Sequence, residues 1–391
     1  MPIVDDEQIK ALLAEEKITA ITVDTSIFDQ KRLQLNSATM QALASLKHRP
    51  FNFVLSDTVA KEVLTHLEKA VSEALQSAKK SIGQALFAFE TEKPTRDELL
   101  QQISGGLTAT ETAKQRWDKY IDDTGCEVLT DTSIVNTSTI YDGYFAGEPP
   151  FGTGKKKDEF PDALALHALE RTAIERGIGI LVVSNDGDWR AFCERSKRLF
   201  LVPEIERALS LVTNAPLGLR KAIYTWFTNE RDGSDDFRQD VIQNTERLEF
   251  GVNAYSTHGE VDISIWDGEL INLDWPDEEE IDIIELDGPD NNGVVHVITS
   301  LPLELVVKVP VELNFSIWDS VDKESLEMGG RIVDVDVEVY VRATVTINAH
   351  GLGTDDEELV FVESELDDSF HEIELGEVDM FETEGFLEVE E

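Results

Sequence analysis

The chain has few cysteines, no long hydrophobic run and few basic residues in its second half. Only two cysteines, Cys126 and Cys193, occur in 391 residues, so a disulfide framework is not expected and a reducing compartment fits. No apolar run reaches the roughly 18–20 residues that a membrane-spanning helix needs. The first residues are acidic and carry no apolar core, so no secretory signal is expected. These absences favour a soluble, cytoplasmic protein.

Basic residues are scarce and unevenly placed. The formal net charge is −45; residues 1–219 hold 25 Lys and Arg against 33 Asp and Glu, whereas residues 220–391 hold 9 against 46. This change coincides with a breaker-rich segment at 214–218 and predicts a domain boundary there. We expect a first domain at 1–213, a linker and helical connector at 214–250, and an acidic β domain at 251–391.

The two halves carry different hydrophobic patterns. In the first half, short apolar strands alternate with helical spacing, which predicts a three-layer α/β domain with a parallel sheet. An aromatic, glycine-rich stretch at 141–151 is expected to be a loop. In the second half, 301–317 and 332–347 alternate with period two, which predicts a mostly antiparallel, β-sandwich-like domain. Pro310 interrupts the first of these patterns and indicates an edge or a bend.

Acidic residues recur where the predicted strands of the first half end or where its helices begin. Ligands of parallel sheets bind beyond the carboxyl ends of the strands, so these acids are expected to meet at one edge. Clustered carboxylates repel one another unless a cation neutralises them, and oxygen ligands without His or Cys suit Mg²⁺ or Mn²⁺. The candidate ligands are Asp24, Glu62, Asp162, Asp186 and Asp188.

Each acid also has a simpler interpretation. Asp24 alone could end a strand or start a turn, and Asp186 could belong to a turn. Glu62 could be a solvated helix residue, and Asp162 could stabilise a helix start through the macrodipole. The conjunction of all five favours a metal site over five independent structural roles.

The residues around these acids resemble the PIN-domain nucleases. The resemblance rests on Asp24 in ITVDTSIF, Glu62 in VAKEVL, Asp162 in EFPDALAL, and Asp186 with Asp188 in VVSNDGDW. It covers about residues 18–212 and points to a bacterial subgroup with EFPDA and SNDGDW motifs and a carboxy-terminal extension. The long separation of Glu62 from Asp162 implies added helices at 70–125.

The resemblance implies an enzyme, a Mg²⁺- or Mn²⁺-dependent endoribonuclease that leaves 5′-phosphate and 3′-hydroxyl ends. By this similarity Asp24, Glu62, Asp162 and Asp186 are the catalytic, metal-binding quartet and Asp188 is an accessory metal ligand. Asp158 or Glu159 could extend the set. Analogy alone suggests a bacterial toxin or defence effector.

Other residues near the acids have candidate supporting roles. Three lysines could contact substrate phosphates or could be a solvated loop, and Trp189 could stack on a base or, more commonly, pack in the core. Four polar residues could hold ligating acids or waters. The lysines are Lys155, Lys156 and Lys157, and the polar residues are Thr25, Ser26, Ser184 and Asn185.

The acidic second half leaves several functions open. Residues 251–391 include 4 basic and 39 acidic residues, and a surface of this charge repels nucleic acid. It could solubilise the protein, dock on a basic partner or another copy of the chain, or mimic nucleic acid and regulate the nuclease. Two alternatives to an RNA-cleaving enzyme remain: a non-enzymatic scaffold that binds a basic protein, and a nuclease for single-stranded or structured DNA. No membrane partner is expected.

Overall fold

The protein divides into two units, Met1–Ala215 and Pro216–Glu391. Our computed structural model describes residues 5–48, 51–90, 94–151, 159–213, 218–228, 234–257, 259–291, 293–319, 323–351, 358–367 and 370–379. Across these ranges, no helix combines the length and the apolar character needed to cross a bilayer.

A five-stranded parallel sheet forms the centre of the first unit. Its strands are β1 (Ile18–Val23), β2 (Asn52–Ser56), β3 (Glu127–Leu129), β4 (Gly179–Val183) and β5 (Leu199–Val202). They are arranged in the order β3-β2-β1-β4-β5, with every neighbouring pair parallel. All residues of β4 are buried, as expected for a strand covered on both faces. The predicted parallel sheet with flanking helices is confirmed.

Helices connect and cover these strands. The helices of the first unit are α1 (Asp6–Ala14), α2 (Thr25–Gln30), α3 (Ala38–Gln41), α4 (Asp57–Ala88), α5 (Arg96–Ser104), α6 (Ala109–Thr124), α7 (Asp131–Ile134), α8 (Thr137–Ala146), α9 (Phe160–Arg176), α10 (Gly187–Cys193) and α11 (Ile205–Thr213). Helix α9 has Pro161 in its first turn and ends at Gly177, whose φ is 69°. A fixed proline φ suits a helix start, and a left-handed glycine suits its end.

The predicted loop at 141–151 is wrong over most of its length, because α8 runs from Thr137 to Ala146. Asn136 caps this helix by accepting a hydrogen bond from the Ser138 backbone N–H (3.0 Å). Buried Ile140 anchors α8 in a cluster with Phe151 and Ala163. The aromatic residues therefore form a helix stabilised by packing against α9, a contact that local composition does not reveal.

The second unit is mostly antiparallel β structure, as predicted. Its elements are α12 (Leu219–Thr228), α13 (Ser234–Thr245), β6 (Glu249–Tyr255), β7 (Glu260–Ile265), β8 (Glu269–Asp274), β9 (Asp282–Asp287), β10 (Val295–Asp319), β11 (Glu324–His350), β12 (Glu358–Leu366) and β13 (Phe370–Glu377). The long β10–β11 hairpin is central: β12 pairs with β11, and β7, β8 and β9 pair with β10. The β6–β13 pair is parallel. Helix α13 packs on β12 through the rings of Phe237 and Phe361, so the predicted connector supplies helices to this unit.

Pro310 lies within the central strand β10, not at a sheet edge. It is opposite Asp334 of β11, and its carbonyl accepts a hydrogen bond from the Trp266 backbone N–H (3.0 Å). On its other side, β7 pairs with 311–316 and β8 pairs with 304–308. Pro310 falls between these two pairings, where the missing proline N–H breaks no ladder bond.

Candidate metal centre

The ends of strands β1 and β4 bring distant acids to one edge of the parallel sheet. The two strands are neighbours, and the Asp24 backbone N–H donates to the Val183 carbonyl (2.9 Å) just beyond them. Asp24 and Ser184 therefore leave the sheet side by side, although 160 residues separate them. Apolar β-branched residues specify these strands, and the polar residues that follow end them.

Asp24 is the most buried member of the acid cluster, by which we mean Asp24, Glu62, Asp162, Asp186 and Asp188. Its side chain is 5% exposed, and its Oδ2 accepts hydrogen bonds from Ser26 Oγ (2.5 Å) and Ser184 Oγ (2.8 Å). Burial raises the pKa of Asp24 from 3.8 to about 6, the two serine hydroxyls oppose that rise, and the charge of Asp162 adds to it. A cation bound nearby would therefore stabilise the ionised form of Asp24.

Glu62 reaches the cluster from α4 and is held by α2. Thr25 Oγ1 donates to Glu62 Oε2 (2.8 Å). One helical turn further along both helices, His66 Nδ1 and Asp29 Oδ1 are 2.9 Å apart, so two parallel contacts join α2 to α4. Burial raises the pKa of Glu62, the Thr25 bond opposes this, and the charge of Asp162 raises it further.

Asp162 stands in the first turn of α9 and is oriented by a tryptophan. Trp189 Nε1 donates to Asp162 Oδ1 (2.8 Å), and Trp189 is only 1% exposed. Burial raises the pKa of Asp162; the hydrogen bonds from Trp189 and Glu159 lower it, and the charges of Asp186 and Asp188 raise it. Burial excludes Trp189 from stacking on a base and gives it a packing role with one polar contact.

Asp186 both caps α10 and faces the other acids. Its Oδ1 accepts hydrogen bonds from the backbone N–H groups of Asp188 (2.6 Å) and Trp189 (3.2 Å). Ser184 Oγ, which donates to Asp24, also accepts from the Asp186 backbone N–H (3.0 Å). One serine hydroxyl therefore fixes the distance between the two strand-end acids.

The structure places the remaining predicted residues differently. Thr25, Ser26 and Ser184 donate to Glu62 or Asp24, whereas the Asn185 side chain donates to Gln30 Oε1 (3.0 Å) and not to an acid. Glu159 adjoins the cluster; burial raises its pKa, and a hydrogen bond with Asp162 raises it further. Lys155, Lys156, Lys157 and Asp158 lie outside the described residues.

Asp131 is a buried acid at the same sheet edge that sequence patterns did not single out. It is 0% exposed, and its Oδ2 accepts from Ser56 Oγ (2.7 Å), from the Thr58 backbone N–H (3.0 Å) and from Thr58 Oγ1 (2.7 Å). These contacts tie the segment after β3 to the start of α4, the helix that carries Glu62. The available signal was its position two residues after strand β3, similar to the position of Asp24 after β1.

The donor set of the acid cluster fits a hard divalent cation. Coulombic interactions link Asp162 to Asp24 and to Glu62, and Asp186 and Asp188 to Asp162. Among the described residues, no three His, Cys, Asp or Glu side chains lie close enough together to hold an ion as they stand. Carboxylates of like charge repel one another and stay apart when no cation lies between them. Carboxylate oxygens alone, on a partly buried site whose anions repel one another, suit Mg²⁺ or Mn²⁺.

Comparison with known families identifies the domain that carries these acids. A PIN-domain family model matches residues 21–189, a stretch that includes every member of the acid cluster. The first unit contains a PIN domain. PIN domains have a nuclease-like fold, and they are generally nucleases that bind nucleic acid and use divalent metal ions. Neither a curated protein nor a solved structure matches the chain significantly.

Replacing Trp189 by phenylalanine tests how the PIN domain positions Asp162. The substitution keeps an aromatic ring but removes the donor to Asp162 Oδ1, so we expect a loss of about 1–3 kcal/mol in the free energy of unfolding and weaker Mn²⁺ binding. Urea unfolding and calorimetric titration measure the two effects. Trp117→Phe, at a buried tryptophan on α6, controls for ring volume. An unchanged Mn²⁺ affinity in Trp189→Phe would contradict the positioning role.

Proposed function

We propose that the PIN domain of this protein is a metal-dependent endoribonuclease that hydrolyses phosphodiester bonds to 5′-phosphate and 3′-hydroxyl ends. The observation that carries the proposal is the meeting of Asp24, Glu62 and Asp162 at the carboxyl edge of the sheet, where burial raises the pKa of each acid and the charge of Asp162 raises those of Asp24 and Glu62 further. Asp186 and Asp188 border the same group through their charges. Neighbouring carboxylates disfavour one another's ionised forms, and a bound cation removes that penalty.

Asp24, Glu62, Asp162 and Asp186 would hold Mg²⁺ or Mn²⁺, with Asp188 as an accessory ligand. When bound, the ion supplies Lewis-acid activation of water and stabilises charge on the phosphoryl oxygens. The chain supplies orientation: Ser26 and Ser184 fix Asp24, Thr25 fixes Glu62, and Trp189 fixes Asp162. These hydrogen bonds set the direction from which each acid approaches the ion.

Charge supports placing substrate binding on the first unit. The second half of the chain carries 9 basic against 46 acidic residues, and such a surface repels a polyphosphate. We therefore assign nucleic-acid binding to the PIN domain and a regulatory or scaffolding role to the acidic β unit.

A cleavage assay tests the proposed activity. The full-length protein is incubated with end-labelled RNA or single-stranded DNA in Mg²⁺, Mn²⁺ or EDTA, and the product ends are identified by ligation and phosphatase treatment. We expect RNA cleavage with either metal, none in EDTA, and a loss of at least about 100-fold in Asp186→Asn. Asp118→Asn, an exposed acid paired with Lys114 on α6, is the matched control and should keep full activity.

The outcomes separate the alternatives. Cleavage that persists in Asp186→Asn would come from a contaminant and would remove the support for this site. Cleavage of DNA but not RNA would change the substrate while keeping the acid cluster. No cleavage in either metal would favour a non-enzymatic scaffold.

A further inference from the structure

The first part of strand β11 forms an open edge of the antiparallel sheet in the second unit. Strand β12 pairs with β11 only over 343–350, and the Asp367 backbone N–H donates to the Arg342 carbonyl (2.8 Å) just before that stretch. In the part of the chain that the structure describes, no strand pairs with residues 325–341 on the side away from β10. The strands that border this sheet elsewhere have at most 9 residues, so β11 offers the longer open edge.

Alternate residues of this edge direct their backbone groups outward. The Arg342 carbonyl points away from β10, because it accepts from Asp367 on the β12 side. The Pro310 carbonyl bonds to Trp266 on the β7 side, so Pro310 and its partner Asp334 exchange no hydrogen bond. Backbone direction alternates with period two along a strand, and the two observations agree. The outward N–H and C=O groups belong to Ile332, Asp334, Asp336, Glu338 and Tyr340.

The solvent face of this edge carries a row of negative charge. Asp334, Asp336 and Glu338 are exposed and occupy every second position, so their side chains share one face. Their cross-strand neighbours on β10 are Pro310, Lys308 and Val306. A single lysine therefore stands beside three acids, and the row stays negative.

The opposite face of the same edge is apolar and incompletely covered. Val333, Val335 and Val337 are half-buried. The valines opposite them on β10 are 0% exposed: Val311, Val309 and Val307. A further strand beside β11 would remove the remaining apolar surface from water, which favours its addition.

We infer that this edge binds, by strand addition, an extended segment of a partner protein in which Lys or Arg alternates with β-branched apolar residues. The outward backbone groups of β11 pair with the added strand. Its basic side chains lie opposite the row of acids, and its apolar side chains extend the row of valines. The inference rests on the second unit alone and does not depend on the nuclease activity.

Charge selects this occupant over a second copy of the chain. Two copies of the edge, paired with each other, would place Asp334, Asp336 and Glu338 against the same acids of the other copy. Like charges directly opposite each other destabilise paired strands. A basic segment meets the same acids with the opposite sign.

Peptide binding to the full-length protein tests this inference. The probe is a fluorescein-labelled peptide of about ten residues, long enough to cover the acids and valines of the edge, that alternates lysine with valine. One reference peptide has the same residues in separate blocks of lysine and valine, and a second has the alternating sequence with N-methylated backbone amides. By fluorescence anisotropy, we expect the alternating peptide to bind at least about tenfold more tightly than either reference. Only this peptide combines free backbone N–H groups with all its charges on one face.

Matched variants at Asp336 separate main-chain pairing from charge. Asp336→Asn removes the charge and should weaken binding of the alternating peptide about two- to fivefold. Asp336→Pro also removes an outward N–H, at an edge position where proline is tolerated, and should weaken binding by at least about tenfold. Asp262→Asn, at an exposed aspartate of β7 on the far side of β10, should bind the peptide as wild type does. Circular dichroism melting of each variant verifies folding.

Several outcomes would overturn strand addition. One is an alternating peptide that does not bind wild type, or binds no more tightly than the block or N-methylated peptide; this comparison decides the question even if Asp336→Pro does not fold. Equal affinities of Asp336→Pro and Asp336→Asn, or an equal loss in Asp262→Asn, would place the peptide elsewhere. A wild-type dimer in sedimentation velocity that Asp336→Pro dissociates would assign the edge to a second copy. None of these measurements requires cleavage, so failure of this inference and failure of the nuclease proposal are distinguishable.

Discussion

Asp24→Asn is expected to abolish metal-dependent cleavage and, at neutral pH without metal, to raise the free energy of unfolding by about 1–3 kcal/mol. Both effects follow from the buried carboxylate of Asp24. Its pKa is about 6 in the fold against an ordinary value of 3.8, mainly because it is buried. At pH 7 the folded protein must therefore keep an anion where the surroundings favour the neutral form.

The sign of the pH dependence follows from that difference. The folded state binds the Asp24 proton more tightly than the unfolded state does, so this contribution to stability is complete below about pH 3.8. It is lost as the pH rises through about 6. The whole difference corresponds to about 3 kcal/mol. Asparagine stays neutral throughout, so the stability gain over wild type should appear above pH 6 and shrink below it.

Divalent metal should reverse the order of stability. Mn²⁺ binds the wild-type fold and adds a stabilisation that grows with its concentration, whereas Asp24→Asn lacks a proposed ligand. Urea unfolding at several pH values, with Mn²⁺ or EDTA, measures both effects, and Asp118→Asn again serves as the exposed control. A variant that is less stable than wild type in EDTA at pH 7–8 would contradict the assigned electrostatic strain.

Lys31→Met is expected to reduce the free energy of unfolding by about 3–5 kcal/mol. Lys31 Nζ and Glu206 Oε1 form an ion pair at 2.6 Å, with both side chains about 95% buried (5% and 4% exposed). Lys31 directly follows α2, the helix that presents Thr25 to Glu62, and Glu206 stands in the first turn of α11. Methionine keeps the aliphatic volume but leaves the buried carboxylate without this cation.

The double variant Lys31→Met/Glu206→Leu isolates the charge effect. Replacing a buried ion pair by apolar residues of similar size is often nearly neutral, so we expect the double variant to recover most of the lost stability. Urea unfolding followed by circular dichroism gives all the free energies for the cycle. A single-variant cost below about 1 kcal/mol, or a double variant as unstable as the single one, would show that the pair does not stabilise this unit.

Local sequence patterns were sufficient to predict the parallel sheet and to select the candidate acids. Strands β1 and β4 are short apolar runs closed by polar residues, a signal that needs no knowledge of distant contacts. Parallel strands expose their carboxyl ends at one edge, so Asp24 and Asp186 could be placed together from strand positions alone. Period-two alternation likewise predicted the antiparallel second unit.

Local sequence patterns could not predict contacts between residues that are distant in the chain. The aromatic stretch that forms α8 lacks a strong helical pattern, and only its packing on α9 makes it a helix. Asp131 resembles any acid after a short strand until Ser56 and Thr58, more than 70 residues earlier, are seen to donate to it. The pairing of Lys31 with Glu206 depends on helices that are adjacent only in the fold.

The acids of this PIN domain were determined by the sequence, whereas their electrostatic state was decided by the tertiary structure. Asp24 ends a strand in any reading of ITVDTSIF, but its raised pKa arises from burial and from Asp162 on a distant helix. Trp189 likewise reads as a core residue, and its bond to Asp162 exists only because α9 and α10 pack together. Residue type and local pattern fix which groups can ionise; the fold fixes how much water, charge and hydrogen bonding each group meets.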